Sequence, residues 1–516
     1  MAKTGNQLLA EALQNAGDSA IGNIVYHKNI KPKQQALLTK NGYLKRIIKG
    51  WYLLDADLSA QKAGESALWY ESMWVFIERY LSCRFKDNYW LSSEASLDLF
   101  TDNNSMPAQI VVFVMSDDAI WSVTELPNNM SICVTNSKSR PEGLIKFRRL
   151  NIYSLENAVV NSTPVSYRKN PMTIQIALRN ANFDALADAL ISSGNVASAG
   201  RLIGAYESLG MRAEHKKLKA IMSGAGFENI KPHNPFENPP VLLGQSIKEA
   251  ASATRIRIMW QQMRQSVVAG FEGCDPVFDF FTRPLDKTLA MINEVYVRDA
   301  YNSLSIEGYK VTPDLIERVS SGNWSPQTIE RDHEAKDALA ARGYYDAFNK
   351  ILESITEAHN REDLDFLINV GITQWYISLF SPCVKAGIIA ESDLAGFRKG
   401  PIYIRKSRHV PPASEQLMDC MDALKDCMAK ESSFAVKATL GHFFLGYIHP
   451  FMDGNGRTAR FLMNFLFIVG GYKWVVIKQE TREKYLDALE AASGDENIVP
   501  FVEFILKTIK DADKNG

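Results

Sequence analysis

The sequence predicts a multidomain protein whose C-terminal domain is all-helical with a β-hairpin, preceded by a small helical segment with its own hairpin and by a small α/β domain. Two observations predict this arrangement. Apolar residues recur at helical spacing from Phe434 to Ile448 and fill the stretch from Phe461 to Val469. Apolar strand patterns at residues 109–114 and 131–134 indicate a sheet earlier in the chain. With 516 residues, the chain is long enough for two or three domains.

Residues 1–60 are predicted to form a separate N-terminal domain. Short helical patterns cover residues 7–16, 21–27 and 33–40, and residues 42–54 then alternate like a two-stranded hairpin. Helices followed by such a hairpin are typical of a winged helix-turn-helix, a fold that places a helix in a groove of DNA.

This N-terminal domain carries a local excess of positive charge. Between Ala20 and Leu54 there are seven Lys or Arg residues and no Asp or Glu, in a chain whose formal net charge is −1. Such a stripe suits contact with the phosphates of DNA. The candidate DNA contacts are Lys33, Lys40, Lys45, Arg46 and Lys49. A small protein-interaction module with a solvated lysine face is the alternative.

Residues 61–230 are predicted to form the α/β domain, closed by helices at about residues 182–193 and 197–209. The Pro- and Asn-rich residues 231–240 are predicted to be a linker, and residues 241–516 the helical domain. The N-terminal part, together with residues 89–95 (YWLSSEA), resembles the AbiEi-type antitoxin and transcriptional-regulator family, in which a winged helix precedes an α/β domain. That resemblance implies DNA as a partner.

The chemistry of the chain is concentrated in residues 449–460, HPFMDGNGRTAR, between the two apolar helices. Gly454 and Gly456 permit backbone conformations that bring N–H groups close to a ligand, and the second helix begins there, so its positive end faces the turn. A phosphate group is the expected ligand. Asp453 is a hard oxygen ligand suited to Mg²⁺, and His449 is placed as a general base.

Three more polar residues of this stretch fit a phosphate ligand. Asn455 can donate a hydrogen bond to a phosphoryl oxygen. Arg457 and Arg460 are three residues apart, so both lie on the same side of the second helix.

Residues 449–460 match the pattern HPFx[DE]GNGRxxR of the Fic (filamentation-induced-by-cAMP) domain at every specified position, so the C-terminal domain resembles that family. The resemblance implies adenylylation, in which a Ser, Thr or Tyr hydroxyl of a target protein attacks the α-phosphorus of ATP with the help of Mg²⁺. It implies these roles: His449 as base, Asp453 for the metal, Gly454, Asn455 and Gly456 for the anion hole, and Arg457 and Arg460 for the β- and γ-phosphates. Tyr485 is where relatives often bring an aromatic group to the adenine. Relatives that act as kinases have lysine in place of Gly456, so the glycine favours AMP transfer.

An upstream stretch resembles the inhibitory motif of the same family, [ST]xxxE[GN]. It consists of Ser303, Glu307 and Gly308, on a predicted helix N-terminal to residues 449–460. The resemblance implies that Glu307 pairs with Arg460 and thereby excludes the γ-phosphate. Some relatives also use this glutamate to remove AMP, so the reverse reaction stays open. A solvent-exposed glutamate at a helix C-terminus, beside a capping Gly308, is the alternative.

Residues 396–412 resemble the flap of the Fic domain, a hairpin over the active site. Ile402, Tyr403 and Ile404 alternate like an edge strand, to which a segment of the target protein could add as a further strand. An ordinary surface hairpin is the alternative.

Composition limits the remaining classes. The six cysteines contain no CxxC pair and no long apolar stretch is uninterrupted, which predicts a cytoplasmic protein with reduced thiols and no membrane span. A homodimer is compatible with the sequence. Two functions remain: an AMP-transferring enzyme with an attached DNA- or protein-binding region, and a DNA-binding regulator whose Fic domain is silent. Transfer of another nucleotide, such as UMP, also stays open because no residue specifies the base.

Overall fold

The computed structural model describes residues 4–55, 65–103, 105–237, 240–243, 249–322, 332–360, 363–404 and 407–514. The chain divides into two compact units. The first comprises Met1–Ala251 with Ile402–Val410, and the second comprises Ser252–Pro401 with Pro411–Gly516. Within the described ranges, no helix is both long enough and apolar enough to span a bilayer.

The first unit begins with two helices and a three-stranded antiparallel sheet, in which the strand order is β1-β3-β2. The elements are α1 (Gly5–Ser19), β1 (Ile24–Tyr26), α2 (Pro32–Lys40), β2 (Leu44–Ile48) and β3 (Trp51–Leu54). Thr4 begins α1 with a capping box, since its side chain accepts from the Gln7 N–H and the Gln7 side chain accepts from the Thr4 N–H. The expected helix at residues 21–27 is wrong, because Gly22 and Asn23 have φ of 53° and 62° and the β-branched Ile24 and Val25 pair with β3.

The rest of the first unit is an α/β structure built on a four-stranded sheet in the order β4-β5-β7-β6. Its elements are α3 (Glu65–Phe85), β4 (Trp90–Leu91), α4 (Ser93–Phe100), β5 (Gln109–Met115), β6 (Trp121–Leu126), β7 (Met130–Ser137), β8 (Leu144–Phe147), β9 (Leu150–Tyr153), α5 (Leu155–Val160), α6 (Pro164–Lys169), α7 (Pro171–Asn180), α8 (Phe183–Ser193), α9 (Val196–Ser208) and α10 (Arg212–Gly224). β5 and β7 are parallel, and the other two pairings of this sheet are antiparallel. The predicted strands and the predicted helices that close the domain are confirmed.

The expected linker has no regular secondary structure over residues 231–237, but it packs against α9. The carbonyl of Lys231 lies 2.7 Å from where a Cβ on Gly200 would stand, and the carbonyl of His233 lies even closer to the Cβ position of Gly204. Phe236 is buried with its ring 5.8 Å from that of Tyr167. These residues therefore form part of the first unit's core, and the domain boundaries inferred from the sequence stay predictions.

In its described parts, the second unit contains helices and short turns but no β-strand. Its helices are α11 (Ala251–Gly270), α12 (Leu285–Asn293), α13 (Tyr296–Ile306), α14 (Pro313–Ser320), α15 (Asp332–His359), α16 (Leu364–Lys385), α17 (Leu417–Lys430), α18 (Phe434–Ile448), α19 (Asn455–Val469), α20 (Arg482–Gly494) and α21 (Val499–Lys514). α19 is buried along almost its whole length, and its Phe461 and Phe465 rings pack on Tyr344 and Trp375. The hydrophobic helices predicted around residues 449–460 are thus α18 and α19.

The edge strand expected at Ile402, Tyr403 and Ile404 is not formed. Residues 402–410 belong to the first unit, where Tyr70 and an isolated antiparallel bridge between Ser105 and His409 contact them. The Tyr403 ring lies 5.9 Å from the Tyr70 ring, and the Tyr70 hydroxyl donates to the Ser407 carbonyl over 2.6 Å. Residues 405–406 lie outside the described residues, and the flap and its role in docking a target stay predictions.

We expect Gly204→Ala to destabilise the first unit by about 1–3 kcal/mol, because a Cβ would collide with the His233 carbonyl. Urea unfolding of the full chain measures the effect. Gly224→Ala is the matched control, since a Cβ there meets nothing within 4 Å. Equal unfolding midpoints for the two variants would contradict the packing of residues 231–237 on α9.

Candidate functional site

The candidate site is the turn between α18 and α19. His449 ends α18 in the left-handed conformation, with φ of 51°, and Gly454 begins α19 with φ of 81°. Asn455 closes the turn, because its amide nitrogen donates to the Phe451 carbonyl over 2.7 Å and its amide oxygen accepts from the Phe451 N–H over 2.9 Å. This side chain is directed at the turn's own backbone, so only its second amide N–H and the backbone N–H of Asn455 are left for the anion hole inferred from the sequence.

His449 has the hydrogen bonding that a general base requires. Its Nδ1 lies 3.1 Å from the Gly446 carbonyl and so carries the proton, which leaves the lone pair on Nε2. Burial lowers the pKa of His449, and the hydrogen bond to Gly446 and the charges of Glu307 and Asp453 oppose that change. The imidazole is therefore neutral at physiological pH.

Arg457 is a buried cation with donors directed at no hydrogen-bond acceptor. Only 1% of its side chain is exposed, and its guanidinium lies between the rings of Tyr309 and Phe380, 5.2 Å and 5.1 Å from their centres. Its Nη2 is 3.3 Å from an Asp453 carboxylate oxygen, but both Nε and Nη2 lack a hydrogen-bond partner in the described structure. Buried donors of this kind are normally satisfied, so an anion in the turn would complete them.

Arg460 lies one helical turn further along α19. Its guanidinium donates hydrogen bonds to residues at the end of α13. Its Nε donates to the Ser303 hydroxyl over 2.9 Å, and its Nη2 donates to the Ser303 carbonyl over 3.1 Å and to the Glu307 carboxylate over 2.8 Å. Glu307 is the residue at which α13 ends, and Gly308 follows with φ of 88°. The structure thus brings together all three residues of the upstream motif and Arg460.

The Glu307 carboxylate is ionised in this arrangement. Burial acts to raise its pKa, but the charges of Arg460 and Arg457 outweigh burial and hold the pKa of Glu307 below its usual range. The same carboxylate approaches α19 so closely that a Cβ on Gly456 would stand 2.5 Å from it. A Cβ at position 456 would therefore require the Glu307 side chain to move away from this position.

Tyr485 lies in the core rather than at an open adenine site. It is 3% exposed, and its hydroxyl lies 2.9 Å from Nε2 of the buried His442. Burial raises the pKa of Tyr485, and the neighbouring Arg460 opposes that change. Burial has the opposite effect on the basic His442, whose pKa it lowers to about 3. In the described structure Tyr485 lies in the core near Arg460, and the nucleotide contact inferred for it stays a prediction.

The structure brings to this site several residues to which no sequence pattern assigns an individual role. Tyr309 and Phe380 enclose Arg457, and Arg398 donates to the His449 carbonyl over 2.8 Å. Asp299, on α13, is 4% exposed and accepts from the Tyr344 hydroxyl over 2.6 Å. These residues are 45 to 148 positions away from their partners in the chain, and no local pattern marks them.

The donor set at the turn fits Mg²⁺ only in combination with a ligand. Asp453 has 62% of its side chain exposed, which suits an ion that keeps several waters and binds phosphate oxygens. Among the residues that the structure describes, there is no group of three or more His, Cys, Asp or Glu that could hold a metal by itself. Asp453 is therefore the candidate residue of the turn for a metal, and bound Mg²⁺ stays a prediction.

Comparison with known proteins identifies the type of domain. Residues 380–467 match the model of the Fic/DOC family. The protein adenylyltransferase Fic of Aedes aegypti is 30% identical over 253 residues, which are 46% of this chain and 45% of that protein. That of Drosophila virilis is 40% identical over 224 residues, 41% of each protein. The chain spans about half the length, or less, of these curated relatives, and it contains a Fic domain.

Solved structures give a weaker likeness. A Fic domain containing signaling protein from Bacteroides thetaiotaomicron is 18% identical with a TM-score of 0.35, covering 49% of this chain and 92% of that one. Fic-1 from C. elegans is 18% identical with a TM-score of 0.37, covering 68% of this chain and 97% of that one.

We expect the buried Asp299 to make stability depend on pH. Burial raises the pKa of Asp299 from 3.8 to about 6, against the hydrogen bond from Tyr344 and the charge of Arg460. A raised carboxyl pKa means that the folded state holds the proton more tightly than the unfolded state. The resulting stabilisation is complete below pH 3.8 and is lost as the pH rises through about 6.

The measurement is the melting temperature of the protein and of Asp299→Asn between pH 4 and pH 7.5. The melting temperature of the unsubstituted protein should fall relative to that of the variant as the pH rises. A difference that does not change with pH would contradict a buried, titrating Asp299. The constant part of the difference, which includes altered hydrogen bonds to Tyr344, does not affect this comparison.

Proposed function

We propose that this Fic-domain chain is a protein adenylyltransferase, which transfers AMP from ATP to a Ser, Thr or Tyr hydroxyl of a target protein. One observation carries the proposal: a neutral His449 with its lone pair on Nε2 and a buried Arg457 with unsatisfied donors share the turn at the start of α19. Both a base for a hydroxyl and a site for a phosphate are thus present. The curated relatives named protein adenylyltransferase Fic support the same reaction.

The proposed reaction is a single displacement at phosphorus. Nε2 of His449 takes the proton of the target hydroxyl, whose oxygen forms a bond to the α-phosphorus of ATP. The bond between the α-phosphorus and the bridging oxygen breaks, and pyrophosphate leaves with the bonding electrons. Arg457 and the first N–H groups of α19 stabilise the phosphate charge by position rather than by covalent chemistry. Asp453 would hold Mg²⁺, which supplies charge neutralisation on the phosphates.

The described structure supports an inhibited state of this enzyme. Arg460 is the residue that the family resemblance assigns to the γ-phosphate, and its Nε and Nη2 here donate to Ser303 and Glu307. A γ-phosphate would bring several negative charges to the place that the Glu307 carboxylate occupies. We therefore infer that Glu307 must leave Arg460 before ATP can bind in a pose that allows in-line attack.

Glu307→Gly should activate AMP transfer, because it frees Arg460 and removes the competing carboxylate. We expect at least a tenfold increase in label transferred from α-labelled ATP with Mg²⁺, to the protein itself or to proteins of a lysate, in line with the effect of one charged hydrogen bond on a transition state. His449→Ala in the Glu307→Gly background should abolish the label, because no base then accepts the proton.

Glu272→Gly is the matched control, since Glu272 is an exposed glutamate in a turn of the same unit. It should leave the labelling unchanged. If no variant transfers label from ATP, UTP, CTP or GTP, the transferase proposal fails and a silent domain in a regulator becomes the better account.

We propose, as a second and separable function, that the N-terminal part of the first unit binds DNA. The supporting observation is that Lys33, Lys40, Arg46 and Lys49 are exposed on α2 and the β2–β3 hairpin. Lys45 is different, because its ammonium pairs with Asp55 over 3.1 Å and is half-buried. Two helices beside an antiparallel hairpin also fit the winged arrangement expected from the sequence.

Lys33→Glu with Arg46→Glu should weaken binding of a random-sequence DNA duplex at least tenfold at low salt and flatten the dependence of affinity on salt concentration. Fluorescence anisotropy over a salt series measures both. Lys216→Glu with Lys219→Glu is the charge-matched control, because both lysines are exposed on α10 of the same unit. Equal losses in the two double variants would show that the effect is general charge and not a DNA site.

A further inference from the structure

Arg398 is a buried arginine whose hydrogen bonds converge on the catalytic turn. It is 4% exposed, and its Nε donates to the His449 carbonyl over 2.8 Å. Its Nη1 donates to the Gly400 carbonyl over 2.8 Å, and its Nη2 donates to the Pro412 carbonyl. Its own backbone N–H donates to the Pro450 carbonyl over 2.9 Å. Arg398 thus contacts the carbonyls of two consecutive residues of the turn, one of them the proposed base.

These contacts meet a specific need of His449. A non-glycine residue in the left-handed conformation costs roughly 1–2 kcal/mol and persists only where its surroundings hold it. The imidazole direction follows from that backbone conformation, because it sets the Cα–Cβ vector. Three hydrogen bonds hold His449 here: its backbone N–H donates to the Leu445 carbonyl over 3.0 Å, its Nδ1 donates to Gly446, and its carbonyl accepts from Arg398.

The same guanidinium also joins the two ends of a chain segment. Gly400 and Pro412 flank residues 401–411, the region that resembles the flap, and both of their carbonyls accept from Arg398. Only the planar guanidinium presents three nitrogens that can each donate in a different direction, which a lysine cannot reproduce. One side chain therefore sets the position of both ends of this segment relative to His449.

We propose that Arg398 is a positioning residue of the transfer reaction, which holds the backbone of His449 and both ends of residues 401–411 in one fixed arrangement. This inference rests on the proposed function for its catalytic consequence. Its structural part concerns the imidazole of His449 and is independent of any transfer. Arg398 contacts no reacting atom in this role.

The charges around His449 make the role measurable. Arg398 lowers the pKa of His449, whereas Glu307 at the end of α13 and Asp453 in the turn raise it. A neutral replacement of Arg398 should therefore raise the pKa of His449. It should also weaken the Nδ1 hydrogen bond to Gly446, because the backbone that orients the ring is no longer held.

The first experiment is nuclear magnetic resonance of the full chain with isotope-labelled histidine rings, in which His449→Ala assigns the His449 signals. We expect one tautomer, with the proton on Nδ1, in the unsubstituted protein. Arg398→Met should give a mixture of tautomers and a higher pKa of His449. Arg398→Lys keeps the charge but not the three-way donation, so it should disturb the tautomer while changing the pKa less.

The second experiment measures transfer in the Glu307→Gly background. Arg398→Met should lower the transfer rate at saturating ATP by about tenfold to a hundredfold, as expected when a base is misplaced by about an ångström, and should leave the dissociation constant for ATP unchanged within about twofold. A merely structural role would instead change ATP binding and melting temperature together.

Arg255→Met is the matched control, because Arg255 is a buried arginine of the same unit, 3% exposed, whose Nη1 lies 3.9 Å from Glu496. It should lower the melting temperature without changing the His449 tautomer. An unchanged tautomer and pKa in a folded Arg398→Met protein would overturn the inference. If no variant transfers AMP but the tautomer changes, the proposed function fails while the positioning of His449 by Arg398 stands.

Discussion

The interaction on which the rest of the site depends is the set of hydrogen bonds that Arg460 makes with Ser303 and Glu307. Arg460 lies on α19, a helix buried along almost its whole length, where an unpaired guanidinium would be strongly destabilising. The end of α13 supplies the acceptors that the charge needs. The same contact places a carboxylate beside Gly456, where, under the proposed function, the terminal phosphate of ATP would bind. Stability of the protein and inhibition of the proposed reaction therefore share one contact.

The other charged groups of the site lie around the contact between Arg460 and Glu307, but that contact does not supply their hydrogen-bond partners. Arg457 is enclosed by two aromatic rings, and among the described residues its Nε and Nη2 have no hydrogen-bond partner, although Nη2 lies 3.3 Å from Asp453. Arg457 is thus open to hydrogen bonds from an anion, whereas Nε and Nη2 of Arg460 already have acceptors. If Glu307 moved away, Arg460 would also be available to bind an anion. ATP can contact both Arg457 and Arg460 only if its binding free energy exceeds that of the Glu307–Arg460 ion pair. Any signal that moves α13 would shift this balance, and Asp299 ties the same helix to Tyr344 on α15.

Prediction from the sequence succeeded where neighbouring residues decide the structure. The apolar periodicity before His449 predicted α18, and the apolar stretch beginning at Phe461 predicted the later part of α19. Prediction failed where a tertiary contact decides. Ile24–Tyr26 form a strand because β3 is available to pair with it, and the Tyr403 ring packs on Tyr70 rather than lying in a paired strand. Tyr485 lies on α20, and the packing of α20, which no local pattern reveals, directs its hydroxyl to His442.

By itself, the sequence determined the chemistry of residues 449–460, because a base, a carboxylate, two glycines and two arginines are contiguous and their geometry follows from one turn and the start of one helix. Only the tertiary structure decided how these groups are used. Glu307 reaches Arg460, Arg398 reaches the carbonyl of His449, and Asn455 is directed at Phe451, through contacts that depend on how helices pack. The physical reason is that local sequence sets backbone conformation within a turn, whereas the partner of a buried charge is chosen by every element that surrounds it.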